Sequence, residues 1–140
     1  MTSIQIKKLS NPTLEVRKAI LSPLNNFVEH HGFKWEKLSF TIALIHDGEV
    51  KGGLVGELHW GWLYIQILSV HTDLRGKGYG RSLMQSAEQY AKKEGCRGAW
   101  VNTFSFQAPK FYENLGYQEF GRISEYPEGN DRLFYQKAFK

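Results

Sequence analysis

The stretch that most limits what this chain can become is Leu68-Ser69-Val70-His71-Thr72-Asp73-Leu74-Arg75-Gly76-Lys77-Gly78-Tyr79-Gly80-Arg81. It begins as an apolar strand, breaks into a glycine-rich turn and opens a helix, with Leu83, Met84, Ala87, Tyr90 and Ala91 at helical spacing. Such a turn leaves backbone N–H groups without helical partners and aims them, with the positive end of the helix dipole, at one point. That point suits an anion. Glycine serves it through the backbone angles it permits and through the missing Cβ, which lets phosphate oxygens approach the chain. A plain strand-to-helix turn needs glycine for geometry alone, but it has no use for the three cations Arg75, Lys77 and Arg81 that surround this one. Two common phosphate loops are excluded. The dinucleotide fingerprint G-x-G-x-x-G does not fit glycines at 76, 78 and 80, and the Walker loop needs Ser or Thr after Gly-Lys, where this chain has Gly78.

Arg75-Gly76-Lys77-Gly78-Tyr79-Gly80 resembles the R/Q-x-x-G-x-G/A loop of the GNAT N-acetyltransferase superfamily, which grips the pyrophosphate of acetyl-CoA. Upstream, Tyr64 to Val70 is similar to that family's fourth strand. Downstream, Ala108-Pro109-Lys110-Phe111-Tyr112-Glu113-Asn114-Leu115-Gly116-Tyr117 resembles its second signature, A-x-x-x-Y-x-x-x-G-F/Y, in the same order and at about the same spacing. The resemblance implies a mixed α/β fold: a central mixed sheet of roughly six to seven strands, splayed between its fourth and fifth, with roughly four flanking helices. It implies acetyl-CoA as cosubstrate and, as cofactor-binding residues, Leu68, Ser69 and Val70 through their backbone, then Arg75, Gly76, Lys77, Gly78, Tyr79, Gly80 and Arg81.

Composition agrees with one such domain spanning 1–140, since 140 residues can bury a substantial core. The single Cys96 rules out an intramolecular disulfide framework and is compatible with a reducing, cytoplasmic setting. Met1 to Leu9 is polar and alternating rather than a leader, and no apolar run approaches the ~18 residues of a membrane span, so no membrane partner is expected. The net charge of +4 suggests an acidic partner. Coenzyme A would explain cations gathered at one loop, whereas the pairs Lys7-Lys8, Arg17-Lys18 and Lys92-Lys93 are too scattered for a nucleic-acid stripe, and no nucleic acid is expected.

Taken in order, Ile4 to Leu9 alternates like a half-exposed strand. Asn11-Pro12 reads as a cap and first helical position, with a short helix ending before Pro23 and a second piece from Leu24 to His31 stopped by Gly32. In the resembled family this early helix pair lies over the acceptor side, which makes Phe27, His30, His31, Phe33 and Trp35 candidate substrate contacts, with ordinary packing as the competing role. Phe40 to Ile45 reads as a strand, Asp47-Gly48 as a tight hairpin, and Val50 to Trp60 as the next strand, with Gly52, Gly53 and Gly56 suggesting a bulge or bend. Trp62 to Val70 is apolar enough for a central strand. Beyond the loop helix, Gly98 to Asn102 forms a strand parallel to it by a right-handed crossover, Ala108 to Leu115 a short helix, and Gln118 to Ile123 with Arg132 to Ala138 a closing pair.

Acetyl transfer to an amine needs the thioester carbonyl polarised, the ammonium deprotonated and the departing thiolate protonated. Amides near Leu68 to Val70 are the family's means for the first. The family signature puts the acid at Tyr112, and a phenol near 10 can give its proton to a thiolate whose acid is near 8.5; the competing role is a core aromatic on the stripe Ala108, Phe111, Tyr112, Leu115. Where many relatives carry a strand-four carboxylate this chain has Gln66, which takes no proton. Glu57 on the preceding strand is then the candidate catalytic base, with His59, His71, Asp73 or water as alternatives. A second departure is Ser105, where the family commonly has an Asn that touches the cofactor arm; its hydroxyl can still donate one hydrogen bond. No metal is implied, because none of the five histidines forms an H-x-x-x-H or H-E-x-x-H pair. The expected function is acetyl transfer from acetyl-CoA to a primary amine of a small molecule or peptide, by direct attack, in a chain that pairs as a homodimer. The rival is a non-catalytic acyl-CoA-binding or sensor module.

Overall fold

A computed structural model describes residues 3–140. Contacts divide the chain into two units, one ending at Glu36 and one of Lys37–Lys140. In the first, the strand expected at Ile4 to Leu9 is absent: these residues have no regular structure, and Ile4 and Ile6 are fully exposed. Alternation alone does not make a strand, because the ladder needs a partner. A single helix, α1 (Leu14–His30), replaces the two short pieces. Its cap is Thr13, whose Oγ1 accepts from the Val16 N–H at 3.4 Å, so Pro12 lies outside the helix and not at its first position. Pro23 sits inside α1, where it removes the bond its own N–H would make to the residue four earlier.

The second unit runs β1 (Lys37–His46), β2 (Glu49–His59), β3 (Trp62–Val70), a 3₁₀ turn (Thr72–Leu74), α2 (Tyr79–Lys93), β4 (Gly98–Phe104), α3 (Pro109–Asn114), β5 (Gln118–Ser124) and β6 (Asp131–Ala138). Among the described residues there are thus six strands, in the order β1-β2-β3-β4-β6-β5, and three α-helices where four were expected. Because no strand forms at Ile4, the family's fourth and fifth strands are β3 and β4 here. The Asp47-Gly48 hairpin forms, with both residues at positive φ. Leu54, Leu63, Ile65, Val101, Leu133 and Tyr135 from the sheet pack with Leu83, Met84, Ala87 and Ala91 of α2 to make the core.

Two irregularities coincide in β3. It pairs parallel with β4 only from Trp62↔Gly98 to Ile65↔Val101, although both strands continue. At the same level Ile65 pairs with Gly56 of β2 and Ile67 with Val55, so Gln66 is an extra residue without a partner. The bulge expected in the glycine-rich strand forms as well, since Ala43 pairs with Gly53 but Ile45 with Val50, which sets Lys51 and Gly52 of β2 against Leu44 alone; the insertion at Gln66 is a second one, on β3. It reverses the facing of the strand: Leu63 and Ile65 are buried before it, whereas Leu68 and Val70 turn to the core after it and Ile67 turns out. A bulge bends its strand and increases its twist. Here the bend falls where β3 leaves β4, and the two open into a V.

Candidate active site

The V holds a cleft of about 390 Å³ lined by Tyr64 to Leu68 of β3, Val101 to Phe104 of β4, then Gln107, Ala108, Tyr112 and Arg132. Beyond Ile65 the backbone groups on the β4 side of β3 have no strand partner, which leaves Leu68, Ser69 and Val70 beside open space. These residues pair on their other side with Leu54, Gly53 and Gly52 of β2. A larger cavity, about 680 Å³, lies at the opposite end of the sheet around Trp62, Gly116, Lys137 and Phe139, where β3 and β4 are still paired.

At the open end of β3 the chain turns through Gly76 and Gly78, at φ +74° and +86°, into α2. A Cβ at either would meet nothing within 4 Å, so the backbone angles and not crowding require glycine, and the space in front stays vacant for a ligand. Gly78 caps α2 without any side-chain bond, and the first intrahelical bond is Ser82 N–H to the Gly78 carbonyl at 3.1 Å. The N–H groups of Tyr79, Gly80 and Arg81 therefore face outward at the positive end of a 15-residue helix. Lys77, Tyr79 and Arg81 are exposed around them. Arg75 is used differently: its Nε donates to the Val70 carbonyl at 2.9 Å and straps the loop to β3. Gly80 faces Phe111 of α3, 3.3 Å from where its Cβ would be, so it lets the two helices approach.

Three buried tyrosines stand near each other, and their hydroxyls differ. Tyr117 donates to Glu88 at 2.7 Å, and Tyr135 donates to Glu113 at 2.7 Å. The Tyr112 hydroxyl has no hydrogen-bond partner among the described residues, and its side chain lines the cleft. Burial raises its pKa to about 12, so the phenol is protonated at neutral pH and is a weaker acid than a solvated tyrosine.

Glu57 lies on β2 opposite Tyr64, outside the cleft lining, with its carboxylate 3.6 Å from Lys37 Nζ. His59 stacks on Trp60 at 4.3 Å. The His71 Nδ1 accepts from the Asp73 N–H at 3.2 Å and caps the 3₁₀ turn. None of these four alternatives for the base lines the cleft; Gln66, which cannot act as one, does. Ser105 also lies outside the lining. Its hydroxyl donates to Asn130 Oδ1 at 3.2 Å and accepts from the Asp131 N–H at 2.9 Å, which fastens the β5–β6 loop. In the other unit, the Phe27 and His31 rings lie tilted to each other with centroids 4.4 Å apart, and His31 Nδ1 is 2.9 Å from the Phe27 carbonyl oxygen.

Sequence reasoning missed Asn102, Gln107 and Arg132. Asn102 donates to the Tyr64 hydroxyl at 3.2 Å, and the Gln107 side-chain carbonyl accepts from Thr103 Oγ1 at 3.3 Å and the Phe104 N–H at 3.2 Å. A polar residue in the otherwise apolar strand stretch Gly98 to Asn102 could have marked Asn102. Nothing local marks Arg132, which enters only because β6 inserts between β4 and β5.

Residues 7–117 match the model of the acetyltransferase (GNAT) family. The chain is 34% identical over 126 residues to an acetyltransferase of Agrobacterium fabrum, covering 89% of this chain and 92% of that one. It is 44% identical over 90 residues to the blasticidin-S acetyltransferase of Streptomyces morookaense, covering 64% of this chain and 66%, just under two thirds, of that protein. A 1.9 Å crystal structure of an acetyltransferase from Bacillus cereus superposes with a TM-score of 0.83 at 29% identity, covering 95% of this chain and 98% of that one.

Proposed function

The chain belongs to the GNAT acetyltransferase family and is an acetyltransferase, and we propose that it carries acetyl from acetyl-CoA to a primary amine by direct attack. The observation that carries this reading is the pairing of an uncommitted, protonated Tyr112 with a cleft that opens beside the outward N–H groups of Tyr79, Gly80 and Arg81. In it the pyrophosphate rests on those amides, with Lys77 and Arg81 adding charge, and the pantetheine arm follows Leu68 to Val70 into the V. The neutral amine attacks the thioester carbon, the C–S bond breaks, and Tyr112 gives its proton to the sulfur. The proton shed by the nitrogen restores the phenol through solvent, so the step ends as amide and free thiol. Glu57 lies beside Tyr64 in the ladder, and it acts as base only through water.

A catalytic donor in the cleft favours this over a silent acyl-CoA sensor. The family match crosses both units, which supports taking 1–140 as one acetyltransferase domain. Among the described residues no helix is long and apolar enough to cross a membrane, and a cytoplasmic enzyme that meets acetyl-CoA directly fits that. The exposed edges β1 and β5 offer surfaces for a homodimer, which light scattering at twice the monomer mass would establish and a lone monomer mass would remove. The test of function is thiol release from acetyl-CoA that depends on an added amine, starting with blasticidin S, the acceptor named for the 44% relative. Acetyl-CoA that binds but is never consumed across a broad amine panel would return the sensor reading.

A further inference from the structure

Arg132 is the one charged residue lining the cleft among the described residues. It is half-buried, and no carboxylate answers it: Nε and Nη2 both donate to the single oxygen Asn102 Oδ1, at 2.9 and 2.7 Å, and Nη1 donates to the Tyr126 hydroxyl at 2.9 Å. The guanidinium carbon also sits over three rings, Phe104 at 5.5 Å, Tyr126 at 5.0 Å and Phe134 at 5.6 Å. Neutral oxygens and ring faces hold a cation in place without cancelling its charge. The nearby acids are spoken for, since Asp131 pairs with Arg122 at 3.0 Å. The backbone that carries Arg132 is fixed by the Ser105 bond to the Asp131 N–H. A half-buried, oriented guanidinium with spare N–H groups and, among the described residues, no counter-charge is an anion receptor waiting for its partner.

The sheet tells which partner. Val101, Thr103 and Tyr112 line the cleft from the core face, which α2 covers, while Tyr64, Asn102, Phe104 and Arg132 line it from the other. The pyrophosphate loop opens α2, so the donor enters on the core face and the face with Arg132 is left to the acceptor. A lone cation matches a single negative charge better than a doubly charged phosphate. We propose that Arg132 anchors a carboxylate on the acceptor, so that the preferred substrate is an amine that also carries a carboxylate, with polycationic amines disfavoured. This rests on the acetyl-transfer reading above. Tyr64, held from behind by Trp100 with ring centroids 4.0 Å apart, forms the wall along which the substrate body lies.

The experiment compares amines that differ only in the anion: L-phenylalanine against its carboxamide, and β-alanine against its carboxamide, with putrescine as dication. Each is assayed for thiol release from acetyl-CoA with wild type, Arg132→Lys and Arg132→Gln. A charge-assisted hydrogen-bond pair predicts a carboxylate preference in kcat/KM of ~10-fold or more in wild type, kept in part by Lys and lost in Gln. The lower basicity of the carboxamides' amines cancels when variant is compared with wild type. A second arm needs no turnover and no variant: N-acetyl-L-phenylalanine and N-acetyl-L-phenylalaninamide are titrated into the wild-type complex with coenzyme A. Tighter binding of the acid supports the assignment. Equal affinities, no binding of either, or a preference that survives Arg132→Gln in a variant of unchanged melting temperature overturns it. If acetyl-CoA itself does not bind, the acetyl-transfer reading has failed and the anchor falls with it. If acetyl-CoA binds and the carboxamides or putrescine turn over at least as well as the acids, only the anchor has failed.

Discussion

A tyrosine in a core is ordinary, and what separates Tyr112 from Tyr117 and Tyr135 is the fate of one oxygen. The other two hydroxyls are spent on Glu88 and Glu113, while that of Tyr112 is left facing the cleft. Tyr112→Phe keeps the ring that packing needs and removes the donor alone. With a true acceptor, kcat should fall on the order of 10²-fold while acetyl-CoA affinity and melting temperature stay near wild type; an unchanged kcat would transfer the acid role to another group or to water. Ser105 gives the opposite kind of prediction. Its hydroxyl fastens Asn130 and Asp131, so Ser105→Ala should leave coenzyme A affinity unchanged in calorimetry and lower stability by about 1 kcal/mol. A clear loss of cofactor affinity would mean that the hydroxyl leaves the loop when the arm arrives.

At the scale of elements, the strand, loop and helix from Leu68 to Arg81 were legible because one short stretch carries the whole signal: apolar run, glycines, cations, helical spacing. Gly78→Glu should abolish coenzyme A binding, since a residue at φ +86° is strained and its carboxylate would occupy the anion's place; wild-type affinity would remove the loop from the site. What failed were features set by distant partners. Ile4 to Leu9 has a strand's alternation but no partner strand, and Pro23 did not end α1 because residues on both sides continue the helix. The Gln66 bulge depends on how β3 registers with β2, and no pattern within β3 announces it. Nothing within α2 marks Glu88, yet it is buried and takes both the Tyr117 hydroxyl and Lys137 Nζ, at 2.7 and 2.8 Å. That pair ties α2 to β6 and to the turn after α3. Glu88→Ala leaves a buried hydroxyl and an ammonium without their acceptor, and should cost on the order of 3 kcal/mol in denaturant unfolding with cofactor affinity unchanged. A loss within a few tenths of a kcal/mol would show that water replaces the carboxylate.

For the molecule as a whole, the buried tyrosines couple stability to alkaline pH. Burial raises Tyr112 to about 12; burial, then the hydrogen bond and charge of Glu113, raise Tyr135 to about 12; Tyr117 moves in the same direction, by burial first and then by Glu88. In the unfolded chain each phenol ionises near 10. Between about pH 10 and 12 the unfolded chain therefore gives up protons that the folded chain keeps, and rising pH favours unfolding by up to about 1.4 kcal/mol per pH unit for each such group. Below pH 10 both states are protonated and this part of the stability is fully present. Lysines titrate over the same range, so the wild-type curve by itself does not isolate the tyrosines, but the difference between wild type and Tyr112→Phe does. That difference should be flat from pH 7 to 9, and the variant should then gain on wild type as pH rises toward 12, because it has no phenol to lose. A difference that stays constant through pH 11 would mean that the Tyr112 hydroxyl ionises as it does in water, and a solvated phenol of that kind would deprotonate two pH units earlier than the donor assigned to the cleft.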